Sequence, residues 1–311
     1  MALPLVSIII PTLNRIELLI QTIRSVSLQN YANIELIISD NASRDGTKNA
    51  IPHLIDAKTK IIRRPFTLPL EVNVMEAAKE ARGKYIMILS DDDLISSDYV
   101  STMVGAFESD EKIQVGLGRR ILIDGNTNIL YRSDPLSDSS HSEFSEKWMT
   151  QYFQSQNAHN QINTIFSTFY RRSEWINSGG QPPLSGSFFA DTIPFVGVSS
   201  TRSKVFYSPD ALFLYRVHQK QEIQQPSLAG RQKFLGMFQF FQHLKPAMGD
   251  LSYSDGLRAA IIKYIISMFL GSSHEFTKDE AINPYVLYDT FWDYLSPNRT
   301  SSPNPTGLSD K

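Results

Sequence analysis

The sequence predicts an α/β protein, a mainly parallel sheet flanked by helices, with a helical appendage at the carboxyl end. Short apolar or β-branched runs alternate with stretches of helical spacing through the first third of the chain, the pattern of right-handed βαβ units. One of these runs, Tyr85 to Leu89, ends on Ser90-Asp91-Asp92-Asp93. An apolar strand can carry such a cluster only at its solvent-facing end, because packed like charges raise one another's pKa unless something neutralises them. Beyond about residue 225 helical spacing alone remains.

The elements follow in order. Val6 to Ile10 is a β-branched run closed by Pro11, the first strand. Ile16, Leu19, Ile20 and Ile23 then lie on one helical face, with Asn14 the expected N-cap. Ile34 to Ser39 forms the second strand and Asp40 to Gly46 a polar turn, after which Pro52 kinks or delimits a helical stretch. Ile61 to Arg64 is the third strand, Val72 to Ala81 a helix stopped near Gly83, and Tyr85 to Leu89 the next strand. A parallel sheet of this kind brings Pro11 to Arg15, Asp40 to Ser43 and Ser90 to Asp93 to one edge. That edge, outside the carboxyl ends of the strands, is where open α/β sheets bind ligands. Ser133 to Glu146, rich in Ser and Asp, reads as a surface loop. Ser227 to Lys245, Leu257 to Phe269 and Tyr285 to Leu295 carry apolar residues at helical spacing, whose aromatic faces suit a core better than a membrane anchor. Ser296 to Lys311, dense in Pro, Ser, Asn and Gly, is expected to be disordered.

Composition bounds the function. With 311 residues, 41% of them hydrophobic and 20% charged, the chain can bury a sizeable core. A formal net charge of -2 argues against electrostatic capture of nucleic acid. The absence of cysteine removes disulfides, thiolate catalysis and Cys-ligated zinc together. Met1 to Pro11 has no signal-peptide pattern, and the apolar stretch Ala259 to Gly271 is interrupted by Lys263 and too short to span a bilayer. A cytoplasmic protein is therefore expected, with peripheral contact at the inner membrane face and a homodimer left open. Neither Gly-x-Gly-x-x-Gly after the first strand nor a P-loop signature is present.

Each polar segment alone has an ordinary explanation: a cap for Asn14, a turn for Asp45-Gly46-Thr47, a solvated loop for the aspartates. Together, Val6-Ser7-Ile8-Ile9-Ile10-Pro11-Thr12-Leu13-Asn14-Arg15, Ile37-Ile38-Ser39-Asp40-Asn41-Ala42-Ser43-Arg44-Asp45-Gly46-Thr47 and Ala81 to Asp93 resemble the successive signatures of family 2 glycosyltransferases. The resemblance is specific over residues 5 to about 100 and continues more weakly to about 220. It implies a GT-A fold with a Rossmann-like sheet over residues 1–225, divided into a nucleotide-binding half (1–110) and an acceptor-binding half (111–225), followed by the helical appendage (226–295) and the tail (296–311). It also implies a metal-dependent, inverting transfer of a sugar from a nucleotide-sugar donor, UDP-type, to a saccharide or lipid-linked saccharide acceptor, in bacterial polysaccharide or lipopolysaccharide biosynthesis.

Carried over residue by residue, the resemblance assigns Pro11, Thr12, Asn14, Arg15, Asp40, Asn41, Ser43 and Asp91 to the nucleotide, with Asp40 accepting from the base and Asp91 contacting ribose. Ser90 to Asp93 is the DXD-type segment, with Ser90 standing where many members carry the first aspartate. Asp92, with Asp93 as a further candidate ligand, would hold Mn²⁺ or Mg²⁺. Such ions need only one or two protein carboxylates, and they offset the charge that builds on a departing diphosphate. His218, in Tyr215-Arg216-Val217-His218, matches a late family motif whose His reaches the metal or diphosphate, against the reading of a structural His. Arg216 would pair with phosphate or with a buried carboxylate. Phe188-Phe189-Ala190-Asp191 resembles the segment ending in the catalytic base, with Ala190 replacing the usual Glu. Among Phe188, Phe189, Ile193 and Phe195 the Asp191 carboxyl would be partly desolvated and its pKa raised as a base requires, while the alternative is a cap for a helix beginning at Thr192. Ser90 and Ala190 keep open a degenerate sugar-nucleotide-binding or assembly subunit. A nucleotidyltransferase, which would need a Gly-rich loop after the first strand, is the weaker alternative.

Overall fold

The computed structural model describes residues 2–55, 58–155, 168–183, 192–199 and 203–218, with single positions and pairs between 239 and 264. Strand β1 (Val6–Thr12) is buried throughout and leads to helix α1 (Ile16–Ser27), which turns Leu19, Ile23 and Val26 inward. Next come β2 (Ile34–Asp40), the short α2 (Thr47–Ala50) and a single 3₁₀ turn holding Pro52. The proline sits in the first turn of that element, where its missing N–H costs nothing. The first half closes with β3 (Thr59–Arg63), α3 (Leu70–Ala78) and β4 (Tyr85–Ile88).

The second half contains β5 (Leu94–Ile95), α4 (Tyr99–Ser109), β6 (Ile113–Ile123), β7 (Ile129–Arg132), β8 (His141–Phe144) and α5 (Ser145–Ser155). After these come β9 (Phe169–Arg171), α6 (Arg172–Asn177), α7 (Thr192–Val198) and the long β10 (Lys204–Arg216).

These strands form one sheet in the order β3-β2-β1-β4-β9-β6-β10-β5, with β7 added to β6 and β8 to β10. The first four run parallel, as the alternation of strand and helix requires. From there the sheet is mixed: β9 lies antiparallel to both β4 and β6, whereas β6 and β10 run parallel to each other. The parallel expectation stops at β4 because the later connections include a hairpin, β6 to β7, rather than successive helical crossovers. One expected loop is corrected at its carboxyl end. Residues 133–140 of Ser133 to Glu146 are loop as expected, but the segment ends in β8, whose residues pair antiparallel with β10, so its last part is a polar edge strand.

Alternation along the parallel strands sends side chains into two cores. Ile9, Ile37, Ile86 and Ile88 face a cluster with Val74 and Ala77 of α3 and Trp175 of α6. Ile8, Ile10, Ile38 and Met87 face the other, with Leu19 and Ile23 of α1 and Tyr99 and Phe107 of α4. Helices cover both faces, which is why these strands read as continuous apolar runs. Phe240, Leu257, Ala260, Ile261 and Tyr264 are buried in the first cluster, where the Tyr264 ring lies 5.4 Å from that of Phe153. No helix among the described residues is long and apolar enough to cross a membrane. Most of residues 226–295 and all of the tail lie outside the described residues.

The amino ends of β1, β2 and β4 are tied by one buried glutamate. Glu35 accepts from the Ser7 hydroxyl, from the Arg82 amide at 2.6 Å and from the Gly83 amide at 3.1 Å, and its second oxygen pairs with the Arg82 guanidinium. Burial pushes the carboxyl up, but these donors outweigh it and hold the group below the ordinary glutamate range. A Cβ on Gly83 would stand 2.6 Å from the Ser7 nitrogen, so only glycine lets the chain pass this close.

Candidate active site

Strand order 3-2-1-4 puts β1 between the ends of β2 and β4, and the crevice outside their carboxyl termini collects the polar segments. Thr12 ends β1 in register with Asp40, which ends β2. Ser90 to Asp93 follows β4 directly. Between β1 and α1 the chain turns through Asn14, whose φ of 56° is left-handed, a conformation that Asn tolerates. Its amide donates to the Ser43 hydroxyl at 2.9 Å and its side-chain oxygen accepts from the Arg44 amide at 2.7 Å, so the β1 and β2 loops are clasped together. The expected N-cap role of Asn14 is therefore corrected. Asp45 does that work from the neighbouring loop, accepting from the Ile16 amide at 2.9 Å, because Asn14 has already spent its side chain on Arg44.

The aspartates sit in a dense network. Thr12 donates to Asp91 at 2.7 Å. Arg15 Nη1 bridges two carboxylates, 2.9 Å from Asp91 Oδ1 and 3.2 Å from Asp92 Oδ2. His218 Nε2 lies 3.0 Å from that same Asp92 Oδ2, while the Ser90 hydroxyl donates to Asp92 Oδ1. Burial pushes the Asp91 carboxyl up and, with Asp92 adding to the effect against the pull of Arg15 and Thr12, takes it to about 6. Asp92 goes the other way: burial is outweighed by His218, Arg15 and Ser90, which keep it ionised. Asp93 is raised well above the carboxylate range by burial and then by Asp92.

Asp93 is engaged elsewhere. Its Oδ1 accepts from the Arg216 main-chain N–H at 2.8 Å, and its carbonyl accepts from Thr22 at 2.9 Å. Arg216 is 0% exposed, and its guanidinium bonds the Asp92 carbonyl, the Asp124 and Gly125 carbonyls, Thr127 and Gln21. Arg216 thus joins the aspartate turn to α1 and to the β6–β7 turn through carbonyl and side-chain oxygens, with the carboxylates of Asp92, Asp93 and Asp124 near its charge.

At the end of β2, Asp40 accepts from the Ser43 amide at 2.9 Å and pairs with Arg63, whose Nη2 donates to the Ser43 carbonyl at 2.8 Å. Asn41 exchanges two bonds of 2.8 Å with the main chain of Leu68. Arg64 and Asn73 continue the network to Ser39. Sequence reasoning missed Arg63, although two consecutive arginines closing a strand beside an acidic loop were a usable signal.

The structure therefore brings Thr12, Arg15, Asp91, Asp92 and His218 into one network. Asp40, Asn41, Ser43 and Asn14 form the adjoining wall, and Pro11, within β1, supports it opposite Ser39. Asp191, with Phe188, Phe189 and Ala190, lies outside the described residues; α7 does begin at Thr192. No group of three or more His, Cys, Asp or Glu side chains suited to a metal occurs among the described residues. Asp92, held ionised, and the neighbouring imidazole of His218 nevertheless supply a donor pair of the kind that suits a divalent ion taking most of its ligands from phosphate and water.

The sequence model described as Glycosyl transferase family 2 matches residues 7–174. A GalNAc(5)-diNAcBac-PP-undecaprenol beta-1,3-glucosyltransferase of Campylobacter jejuni is 30% identical over 105 residues, 33% of this chain and 34% of that one. An Escherichia coli protein, the UDP-Glc:alpha-D-GlcNAc-diphosphoundecaprenol beta-1,3-glucosyltransferase WfaP, is 32% identical over 107 residues, 34% of this chain and 43% of its own. The matched stretch thus spans about a third of one relative and somewhat under half of the other. Among solved structures, S. aureus TarS 1-349 in complex with UDP-GlcNAc superposes with a TM-score of 0.69 at 12% identity, covering 94% of this chain and 81% of that one. The mannosyltransferase PcManGT of Pyrobaculum calidifontis, in complex with GDP-Man and Mn2+, superposes with a TM-score of 0.54 at 15% identity, over 94% of this chain and 85% of its own.

Proposed function

The chain belongs to glycosyl transferase family 2 and has the GT-A fold, and from that premise we propose that it moves a sugar from a nucleotide-sugar donor to an acceptor hydroxyl with the help of Mn²⁺ or Mg²⁺. The observation that carries the reading is the meeting of Thr12, Arg15, Asp91, Asp92 and His218 at the carboxyl ends of β1, β4 and β10. Thr12, Asp40 and Asp91 hold the base and ribose against the strand ends, and the clasp of Asn14 with Ser43 and Arg44 keeps their two loops at fixed separation. Asp92 and His218 hold the divalent ion, which when bound offsets the charge developing on the departing diphosphate. Asp93 is a structural partner of Arg216 that sets the height of the aspartate turn. Asp191 takes the acceptor proton in a single inverting displacement.

The donor is of UDP type in this reading, supported by the UDP-GlcNAc held by TarS. The acceptor is a saccharide on a lipid diphosphate, as the names of the Campylobacter and Escherichia relatives describe for those proteins. The setting is surface-polysaccharide assembly at the cytoplasmic face of the membrane.

Calorimetry of UDP with Mn²⁺ or with EDTA tests the core of the proposal. Wild type should bind UDP more tightly with Mn²⁺, and Asp92→Asn should erase the difference. Metal-independent binding in wild type would remove the ion from the mechanism, and donor hydrolysis assayed with and without metal would separate an enzyme from a sugar-nucleotide-binding subunit.

A further inference from the structure

The cation already seated in the acidic crevice belongs to the protein. Arg15 follows the left-handed turn at Asn14, which aims it across the mouth of the crevice, and its Nη1 stands within hydrogen-bond distance of both Asp91 and Asp92. Its side chain is 22% exposed, whereas those of the two aspartates are 4% and 6% exposed. The oxygen it shares with His218 is Asp92 Oδ2, which lies where an ion held by both Asp92 and His218 would sit. A divalent ion held there would have to share a carboxylate that Arg15 and His218 already occupy. The like charges of ion and guanidinium also repel at such separation in a buried setting.

We infer that Arg15 is a resident counter-ion, holding the cation position until the diphosphate of a donor draws it away, so that metal and nucleotide enter the site together. The inference rests on the metal-dependent reading above and adds the order and coupling of binding to it. The chemistry of the exchange is balanced. The planar guanidinium gives up carboxylate partners and gains phosphate oxygens, to which it is at least as well matched in shape and charge. Asp91 and Asp92, released from Arg15, then meet the ribose and the ion. Metal alone would have to expel Arg15 without compensation and so should bind weakly. Nucleotide alone would expose two carboxylates beside its own phosphates and should bind weakly as well. Each ligand then raises the affinity of the other by the same factor, as linkage requires.

The test measures Mn²⁺ binding by electron paramagnetic resonance of the free ion, with and without UDP and with a protein-free UDP control. It uses wild type, Arg15→Gln and Arg15→Lys, each first checked for an unchanged melting temperature. Arg15→Gln should bind Mn²⁺ alone about tenfold more tightly than wild type, and the enhancement by UDP should shrink by a similar factor, within the usual span of coupling between sites. Arg15→Lys keeps the charge and should keep the weak binding of metal alone. If wild type takes up Mn²⁺ with UDP while Arg15→Gln binds the ion alone no better than wild type does, the counter-ion role is overturned and the metal-dependent reading stands. If wild type takes up no Mn²⁺ even with UDP, both fall.

Discussion

Asp91, Asp92 and Asp93 are consecutive in the chain and have three different environments. Asp92 is held ionised by His218, Arg15 and Ser90, Asp91 is shifted to about 6, and Asp93 is raised by burial and bonded to the Arg216 amide. Substitutions should separate them. Asp92→Asn is expected to abolish the metal dependence of UDP binding with little loss of fold, whereas Asp93→Ala should act on stability, by about 1–3 kcal/mol for a buried donor left unpaired. Urea unfolding of both variants reads the difference. Asp191→Asn should lower turnover at least 10²-fold while leaving UDP affinity nearly unchanged, the signature of a lost general base; near-normal turnover would make Asp191 the cap of α7. What the sequence conceals at this scale is the division of labour. Three identical letters carry no sign of which carboxylate meets a histidine, because His218 and Arg216 arrive from a strand more than a hundred residues away.

Elements were legible in proportion to how local their causes are. The parallel strands announced themselves as apolar runs because helices cover both faces, and α1 showed its inward face by the spacing of Ile16, Leu19 and Ile23. Its cap did not, since Asp45 belongs to another loop. Asp45→Ala should cost about 1 kcal/mol, the usual worth of a lost cap, and should loosen the β1 and β2 loops measured by amide exchange at Ile16. Strand β8 was hidden because an edge strand with polar residues looks like a loop. The glutamate linking β1, β2 and β4 gives a pH prediction. Glu35 is depressed in the folded state, so the stability it contributes is complete above the ordinary glutamate range and is lost as pH falls through the folded value, below about 4.5. Glu35→Gln should flatten that acid limb of the stability profile, and an unchanged limb would assign it to other carboxylates.

At the scale of the molecule, the two halves of the sheet differ in how far apart in the chain their partners lie. β1, β2, β3 and β4 come from one continuous stretch, but β10 lies between β6 and β5, ends on the Arg216 that braces the aspartate turn and leads into His218. Nucleotide and metal together should therefore stabilise the whole chain as a unit. At a hundred times the dissociation constant the gain is about 2.7 kcal/mol, read as one cooperative shift in a thermal melt. The insertion of β10 also has a consequence for synthesis. A ribosome releases Asp93 some 123 residues before its partner, so the nascent nucleotide half carries an acidic turn with neither its brace nor its histidine. On the proposed reading, competence to hold the donor should be withheld until translation has passed residue 218, and a polypeptide halted before β10 should fail to bind UDP.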